Sequence, residues 1–174
     1  QKRVVISKTE TELDEGKMVA FTATDPVNAN LYYTYEYFPP YDNGNLQDVN
    51  PDSVPDPTAQ SELLPAQPFR FTTAGTHVLK GIGIANGYSD NLITSVYEIK
   101  EVPAPFIEPV QNEDGTYMVS IQALEGEGAS IQYTLDGTDP VRNGNGMLYT
   151  EPFPITEPGW TTVKAIAYKT GYVT

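Results

Sequence analysis

Apolar and polar residues alternate with a period of two along most of this chain, the pattern of half-buried β-strands. Met18–Thr24 sets Val19, Phe21 and Ala23 on one face and Met18, Ala20 and Thr22 on the other. Leu31–Tyr37 aligns Leu31, Tyr33, Tyr35 and Tyr37. With Val4–Ser7, Phe69–Thr72, His77–Ala85 and Leu92–Lys100, these runs predict the strands of the first half. Met118–Leu124, Ser130–Leu135, Phe153–Thr156 and Trp160–Lys169 predict those of the second. Asp25-Pro26, Asn28–Asn30 and Asp136–Pro140 read as turns, since proline cannot donate to a ladder and asparagine tolerates turn dihedrals. Within the polar stretch Lys8–Lys17, the acidic run Glu10–Glu15 reads as a solvated loop. Helical periodicity is nowhere sustained, so the fold class is all-β, built as sandwiches of short strands.

The pattern is written twice. Ala66–Asp90 lies on Thr150–Thr174 without a gap, matching Pro68-Phe69 to Pro152-Phe153, Lys80 to Lys164 and Gly87-Tyr88 to Gly171-Tyr172. Val19–Thr34 lies on Val119–Thr134 in the same way. Repetition of this length implies one folded module in two copies. The expected boundaries are 1–101 for the first module and 110–174 for the second. Between them Val102–Pro109, stiffened by Pro103, Pro105 and Pro109, reads as a linker.

The copies differ in two places. Matching Asp56-Pro57 to Asp139-Pro140 leaves an insertion in the first module at about Phe38–Pro55, a proline-rich polar loop expected to be the most mobile segment. The first module also runs past Gly87-Tyr88 into Ser89–Lys100, whereas the second has nothing comparable after Tyr172. Either a closing strand lies beyond Thr174, or the second sandwich has an open edge suited to a donated strand.

In the late strand, Leu79, Gly81 and Gly83, with their counterparts Val163, Ala165 and Ala167, are assigned inward because small residues let backbones approach. Lys80 and Lys164 then point to solvent. Ile82, Ile84, Ile166 and Tyr168 share the lysine side, so either loops cover that face or the parity is inverted.

Charge narrows the partners. Lys and Arg number 10 against 23 Asp and Glu, giving a net charge of −13. That disfavours nucleic acid, which needs a basic footprint, and anionic membrane surfaces. Cysteine is absent, so thiolate metal sites and disulfides are excluded. No apolar run reaches the ~18–20 residues of a membrane span. A first residue of Gln1 leads to the expectation of a removed leader or a larger parent protein.

Candidate chemistry is sparse. Asp136 and Asp139, followed by Asn143 and Asn145, could offer oxygen ligands to calcium, although the spacing is not that of an EF-hand and Asp-Gly and Asp-Pro are ordinary turn dipeptides. No other cofactor is implied. His77 is the one histidine, has Thr161 as its counterpart, and reads as a surface residue on a strand. No nucleophile elbow, thiol or phosphate-cradling glycine motif accompanies it, and no catalytic residue is assigned. Aromatic residues give the binding hypothesis: Phe38, Tyr41 and Trp160 could stack on sugar faces, while Trp160 also reads as a rim or interdomain contact. Tyr33, Tyr35 and Tyr133 read as core.

The segment Ile131–Pro140, with Leu148–Phe153, Thr162–Ala167 and Gly171-Tyr172, resembles the chitobiase/β-hexosaminidase C-terminal repeat and the closely similar Fn3-associated repeat. Their shared core is Tyr133-Thr134-Leu135-Asp136-Gly137 with Pro140. The first module resembles it through Leu31–Thr34, Asp56-Pro57, Pro68-Phe69 and Lys80–Tyr88, with Tyr35-Glu36-Tyr37 in place of the Asp-Gly turn. The resemblance implies two tandem immunoglobulin- or fibronectin-like sandwiches, non-catalytic, of the kind carried by bacterial exported proteins beside glycoside hydrolases and surface proteins. It points to spacing, orientation or protein contact in a secreted, periplasmic or cell-surface protein. The alternative is a carbohydrate-binding accessory. Expected partners are other domains of a larger protein, or a surface protein or glycan, with no membrane insertion.

Overall fold

The computed structural model describes residues 1–124 and 128–174. They form two compact units, Gln1–Lys100 with Val173, and Glu101–Tyr172 with Thr174. Each is a β-sandwich, and among the described residues the only helix is a single 3-10 turn at Pro51–Ser53.

The first unit contains β1 (Val5–Glu12), β2 (Lys17–Asp25), β3 (Asn30–Phe38), β4 (Glu62–Leu63), β5 (Phe69–Phe71), β6 (Gly75–Ile84) and β7 (Asn91–Ile99). One sheet has the order β1-β2-β5 and the other β4-β3-β6-β7, with antiparallel pairing throughout. The second unit contains β8 (Phe106–Gln111), β9 (Tyr117–Gln122), β10 (Ser130–Thr134), β11 (Met147–Leu148), β12 (Phe153–Ile155) and β13 (Lys164–Tyr168). Its sheets are β8-β9-β12 and β11-β10-β13. Strand for strand β8 to β13 repeat β1 to β6, and β7 has no counterpart among the described residues.

The alternation in β2 places its core. Val19, Phe21 and Ala23 are buried, and Val19 and Phe21 cluster with Phe71 of β5 in the same sheet and with Leu79, Tyr97 and Ile99 of the other sheet. In the second unit Val119, Ile121, Ile131 and Ala167 do the same, joined by Val102. Gly81 and Gly83 face inward as their size suggests. A Cβ on Gly81 would lie 2.8 Å from a Phe21 ring carbon, and one on Gly83 would lie 2.6 Å from Val4. Glycine admits the second sheet where any side chain would push it away.

Several expectations change. The Glu10–Glu15 run is not a loop at its start, since β1 extends to Glu12 and pairs with β2 along its length. It is a polar strand at a sheet edge, where both faces of several residues meet water, so its hydrophobic alternation is lost. The actual turn is short, with the Leu13 N–H donating to the Gly16 carbonyl at 3.0 Å. The Val102–Pro109 stretch lies within the second unit, because Val102 is in its core and β8 begins at Phe106. Pro109 is tolerated there since β8 is an edge strand and need not donate outward.

Lys80 is the largest departure. The parity is right, yet Thr76, Val78 and Lys80 on the outer face of β6 are 1%, 0% and 3% exposed. The expected mobile insertion is the cover. Val54 is buried, the Thr76 hydroxyl donates to the Gln47 carbonyl at 3.1 Å, and the Thr34 hydroxyl donates to the Pro55 carbonyl at 2.6 Å. The insertion lies between the end of β3 at Phe38 and Asp56. Tyr41–Asn45 closes with Tyr41 N–H to Asn45 O at 2.8 Å and Gly44 N–H to Tyr41 O at 2.8 Å. Val141–Asn145 closes identically, at 2.9 and 2.8 Å. With Asp56 equivalent to Asp139, the Tyr41–Asn45 turn lies inside the insertion of the first unit, ahead of the Asp-Pro pair.

Candidate binding surface

The repeated signature residues build a turn. In the second unit, Asp136 Oδ1 accepts from the Thr138 N–H at 3.0 Å and from its hydroxyl at 2.6 Å. Those two donors hold the Asp136 carboxyl below the usual carboxylate range. The Thr134 hydroxyl donates to the Thr138 carbonyl at 2.5 Å, and Asn145 donates to the Thr138 hydroxyl and the Asp139 carbonyl. Lys164 Nζ lies 2.7 Å from Asp139 Oδ1.

The first unit has the same frame. Thr34, counterpart of Thr134, donates to the carbonyl preceding Asp56, and Lys80 Nζ lies 2.7 Å from Asp56 Oδ1. Pro57 and Pro140, which follow the aspartates, are both buried. Two modules thus share one arrangement: a threonine ties down the carbonyl before an Asp-Pro, and a strand lysine neutralises that aspartate. The covers differ. Lys80 is 3% exposed and Lys164 is 44% exposed, because the second unit has no insertion to lay over its sheet.

This geometry works against the calcium reading of Asp136 and Asp139. Asp136 is bonded to its own turn, and Asp139 faces a lysine. Among the described residues no group of three or more His, Cys, Asp or Glu side chains converges on a metal position. Calcium and EDTA should therefore leave the melting temperature equal to within about 1 °C, since only a ligand that binds the folded chain shifts it. A calcium-dependent rise, lost in Asp139→Asn, would restore the metal reading.

His77 is buried, not surface-exposed, at 3%. Its Nε2 is 2.9 Å from the Thr73 carbonyl and its Nδ1 is 2.8 Å from the Tyr35 hydroxyl. A carbonyl only accepts, so Nε2 carries the proton and Nδ1 accepts from Tyr35. Phe71 and Tyr37 flank the ring at 4.7 and 5.0 Å. Burial pushes the His77 pKa below its ordinary 6.5, with the bond to Thr73 opposing. The unfolded chain then binds the proton first as pH falls. Stability from neutral His77 is complete above about pH 6.5 and is lost progressively below it, toward the lower folded pKa. Urea midpoints measured from pH 7.5 to 5 should fall in that direction, and His77→Gln should remove the His-linked part of the slope.

The three aromatic candidates are not gathered on one unit. Phe38 and Tyr41 belong to the first unit, Phe38 half-buried at the end of β3 and Tyr41 exposed on its turn. Trp160 belongs to the second and is fully exposed, at 105% of the reference value. It stands at the lip of an open groove of about 530 Å³, floored by Ile107, Tyr117, Val119, Ile155 and Val163. Alternation did not single it out, because its lining comes from separated stretches of the chain.

Residues 119–174 match the family described as Fn3 associated, an accessory type of module. The match covers the second unit from β9 onward. No curated protein and no solved structure matches the chain.

Proposed function

We propose that this chain is a tandem pair of non-catalytic modules, both built on the Fn3-associated, chitobiase C-terminal-like plan. They would space, orient or dock other domains within a secreted, periplasmic or cell-surface bacterial protein. The observation that carries this reading is the shared Thr–carbonyl and Lys–Asp frame, which consumes the polar groups of the signature in holding each sandwich. The net charge of −13 suits a solvated module that avoids nucleic acid. A panel of chromogenic glycosides and esters should show no turnover above buffer. Turnover that follows the protein through purification would overturn the reading.

A second reading, a carbohydrate-binding accessory, is favoured by Trp160 at the lip of an apolar groove. A ring in the open can stack on a sugar face at little entropic cost. Calorimetry against soluble polysaccharides, repeated with Trp160→Ala, separates the two: heat that disappears in the variant selects sugar binding.

A further inference from the structure

Four asparagines in this chain precede glycine: Asn43, Asn86, Asn143 and Asn145. In such a pair the glycine main-chain nitrogen can attack the asparagine carboxamide carbon, since glycine has no side chain to block the approach. The reaction needs two groups at liberty, the glycine N–H and the carboxamide. In three of the pairs the fold holds at least one of them. The Gly44 N–H donates to the Tyr41 carbonyl at 2.8 Å, and the Asn43 carboxamide oxygen accepts from the Asn45 N–H at 3.0 Å. The Gly144 N–H donates to the Val141 carbonyl at 2.8 Å. The Asn145 carboxamide donates to the Thr138 hydroxyl at 2.8 Å and to the Asp139 carbonyl at 3.2 Å.

Asn86-Gly87 differs. It occupies the turn between β6 and β7, which closes with the Tyr88 N–H donating to the Ala85 carbonyl at 3.1 Å. That bond spans the pair and leaves the Gly87 N–H in the middle of the turn. Among the described residues no hydrogen bond engages this N–H or the Asn86 carboxamide, and both residues are exposed. The turn requires the glycine, since its φ is +80°. The second unit closes the same turn with Tyr172 N–H to the Lys169 carbonyl at 3.1 Å, but carries Thr170 where the first has asparagine. We infer that Asn86 is a site of spontaneous covalent modification, set apart from the other three pairs by the fold. The Gly87 nitrogen bonds to Asn86 Cγ, the Cγ–Nδ2 bond breaks, and ammonia departs with the proton that Gly87 gives up. Water then opens the cyclic imide at either carbonyl, leaving an aspartyl or an isoaspartyl residue. Overall a water is consumed and an ammonia released, with no change of oxidation state.

The product changes the first unit. Either form adds a negative charge to the turn that Tyr88 ties to Asp25 by a hydrogen bond of 3.3 Å. The isoaspartyl form also puts one more carbon into the main chain of a turn fitted to β6 and β7. Just beyond that turn, Ser89 anchors the first residues of the chain. Its N–H donates to the Lys2 carbonyl at 2.8 Å, and its carbonyl accepts from the Val4 N–H at 3.0 Å. Val4 is fully buried and stands against Gly83. Rearrangement at Asn86 therefore loosens the anchor that seats Val4.

The test ages the whole folded chain at mildly alkaline pH beside a sample unfolded in urea. Tryptic digestion places Asn86 on Gly81–Lys100, Asn43 on Met18–Arg70, and Asn143 with Asn145 on Asn143–Lys164. Fragment masses locate each conversion, and an isoaspartyl-specific methyltransferase measures the isoaspartyl product. In the folded chain Asn86 should convert at least about 5-fold faster than each of the other three. That is the ratio produced when they must first break a hydrogen bond of net about 1 kcal/mol. In urea the four rates should converge. The aged folded chain should also exchange the Val4 and Ser89 amides faster, while Asn86→Gln, with a side chain one carbon longer, keeps its original exchange after the same treatment. Equal rates at all four sites of the folded chain, or a faster site among the other three, overturn the proposal. So does an Asn86 that stays intact while the unfolded chain reacts. A preference for Asn86 that persists unchanged in urea also overturns it, since local sequence would then be the cause. Unchanged exchange at Val4 and Ser89 after conversion overturns the effect on the anchor.

Discussion

Leu79→Ala is expected to destabilise the first unit by about 3–4 kcal/mol. Leu79 is 0% exposed and sits at the centre of the core formed by Val19, Phe21, Phe71, Tyr97 and Ile99. The loss combines the transfer free energy of the deleted carbons with the cavity they leave, and strands on both sides of β6 limit relaxation. For a unit of this size the drop in melting temperature is on the order of 15 °C. Val163, the counterpart in the second unit, lines an open groove and is only half-buried. Val163→Ala should therefore cost about 1 kcal/mol or less. Urea denaturation of the two variants gives the comparison, and equal losses would show that the groove side of the second unit is as closed as the first.

Asp56→Asn should be the next most damaging change, and far worse than the matching Asp139→Asn. Both aspartates sit 2.7 Å from a lysine Nζ. Lys80 is 3% exposed beneath the insertion, so removing its partner leaves a buried ammonium without a counter-charge. A buried pair broken from one side costs about 3–5 kcal/mol. Asp56 is itself 59% exposed, and water reaches the site, which lowers the expected loss to about 2 kcal/mol. Lys164 and Asp139 are 44% and 86% exposed, an open pair worth under about 1 kcal/mol. The same two residue types at the same distance thus give different outcomes, decided by what lies above them.

Most of the strand framework was legible because it depends on short-range alternation. Val19, Phe21 and Ala23 in β2 declare their face within a few residues. The tyrosines of β3 do not, since Tyr35, expected in the core, is 42% exposed and Tyr33 only half-buried. β1 and β8 were not legible over most of their length. Each is an edge strand with little buried surface, and the proline of β8 looks like a linker residue until its edge position is known. The burial of Lys80 could not be read locally either. It depends on Val54, Pro55 and Asp56, more than twenty residues earlier, crossing the outer face of the sheet. His77 was misplaced for a similar reason, since its partners Tyr35 and Thr73 come from different segments.

The candidate site was legible only in pieces. Trp160 stands out in any reading, being unique and flanked by glycine and threonines. That its neighbours Ile107, Tyr117 and Ile155 form one concavity required the register of three strands. The turn aspartates were visible too, but the residue that decides their role, Lys164, lies 25 positions away from Asp139.

A double-mutant cycle on Asp56 and Lys80 bears most directly on the idea that the recurring motif exists to hold each sandwich. Denaturation midpoints are needed for Asp56→Asn, Lys80→Met and the combined change. If the pair is structural, the double variant recovers much of what Asp56→Asn loses, giving a coupling of at least about 1 kcal/mol. Additive effects within about 0.3–0.5 kcal/mol would mean that the two side chains do not support one another, and the structural account of the motif would fall.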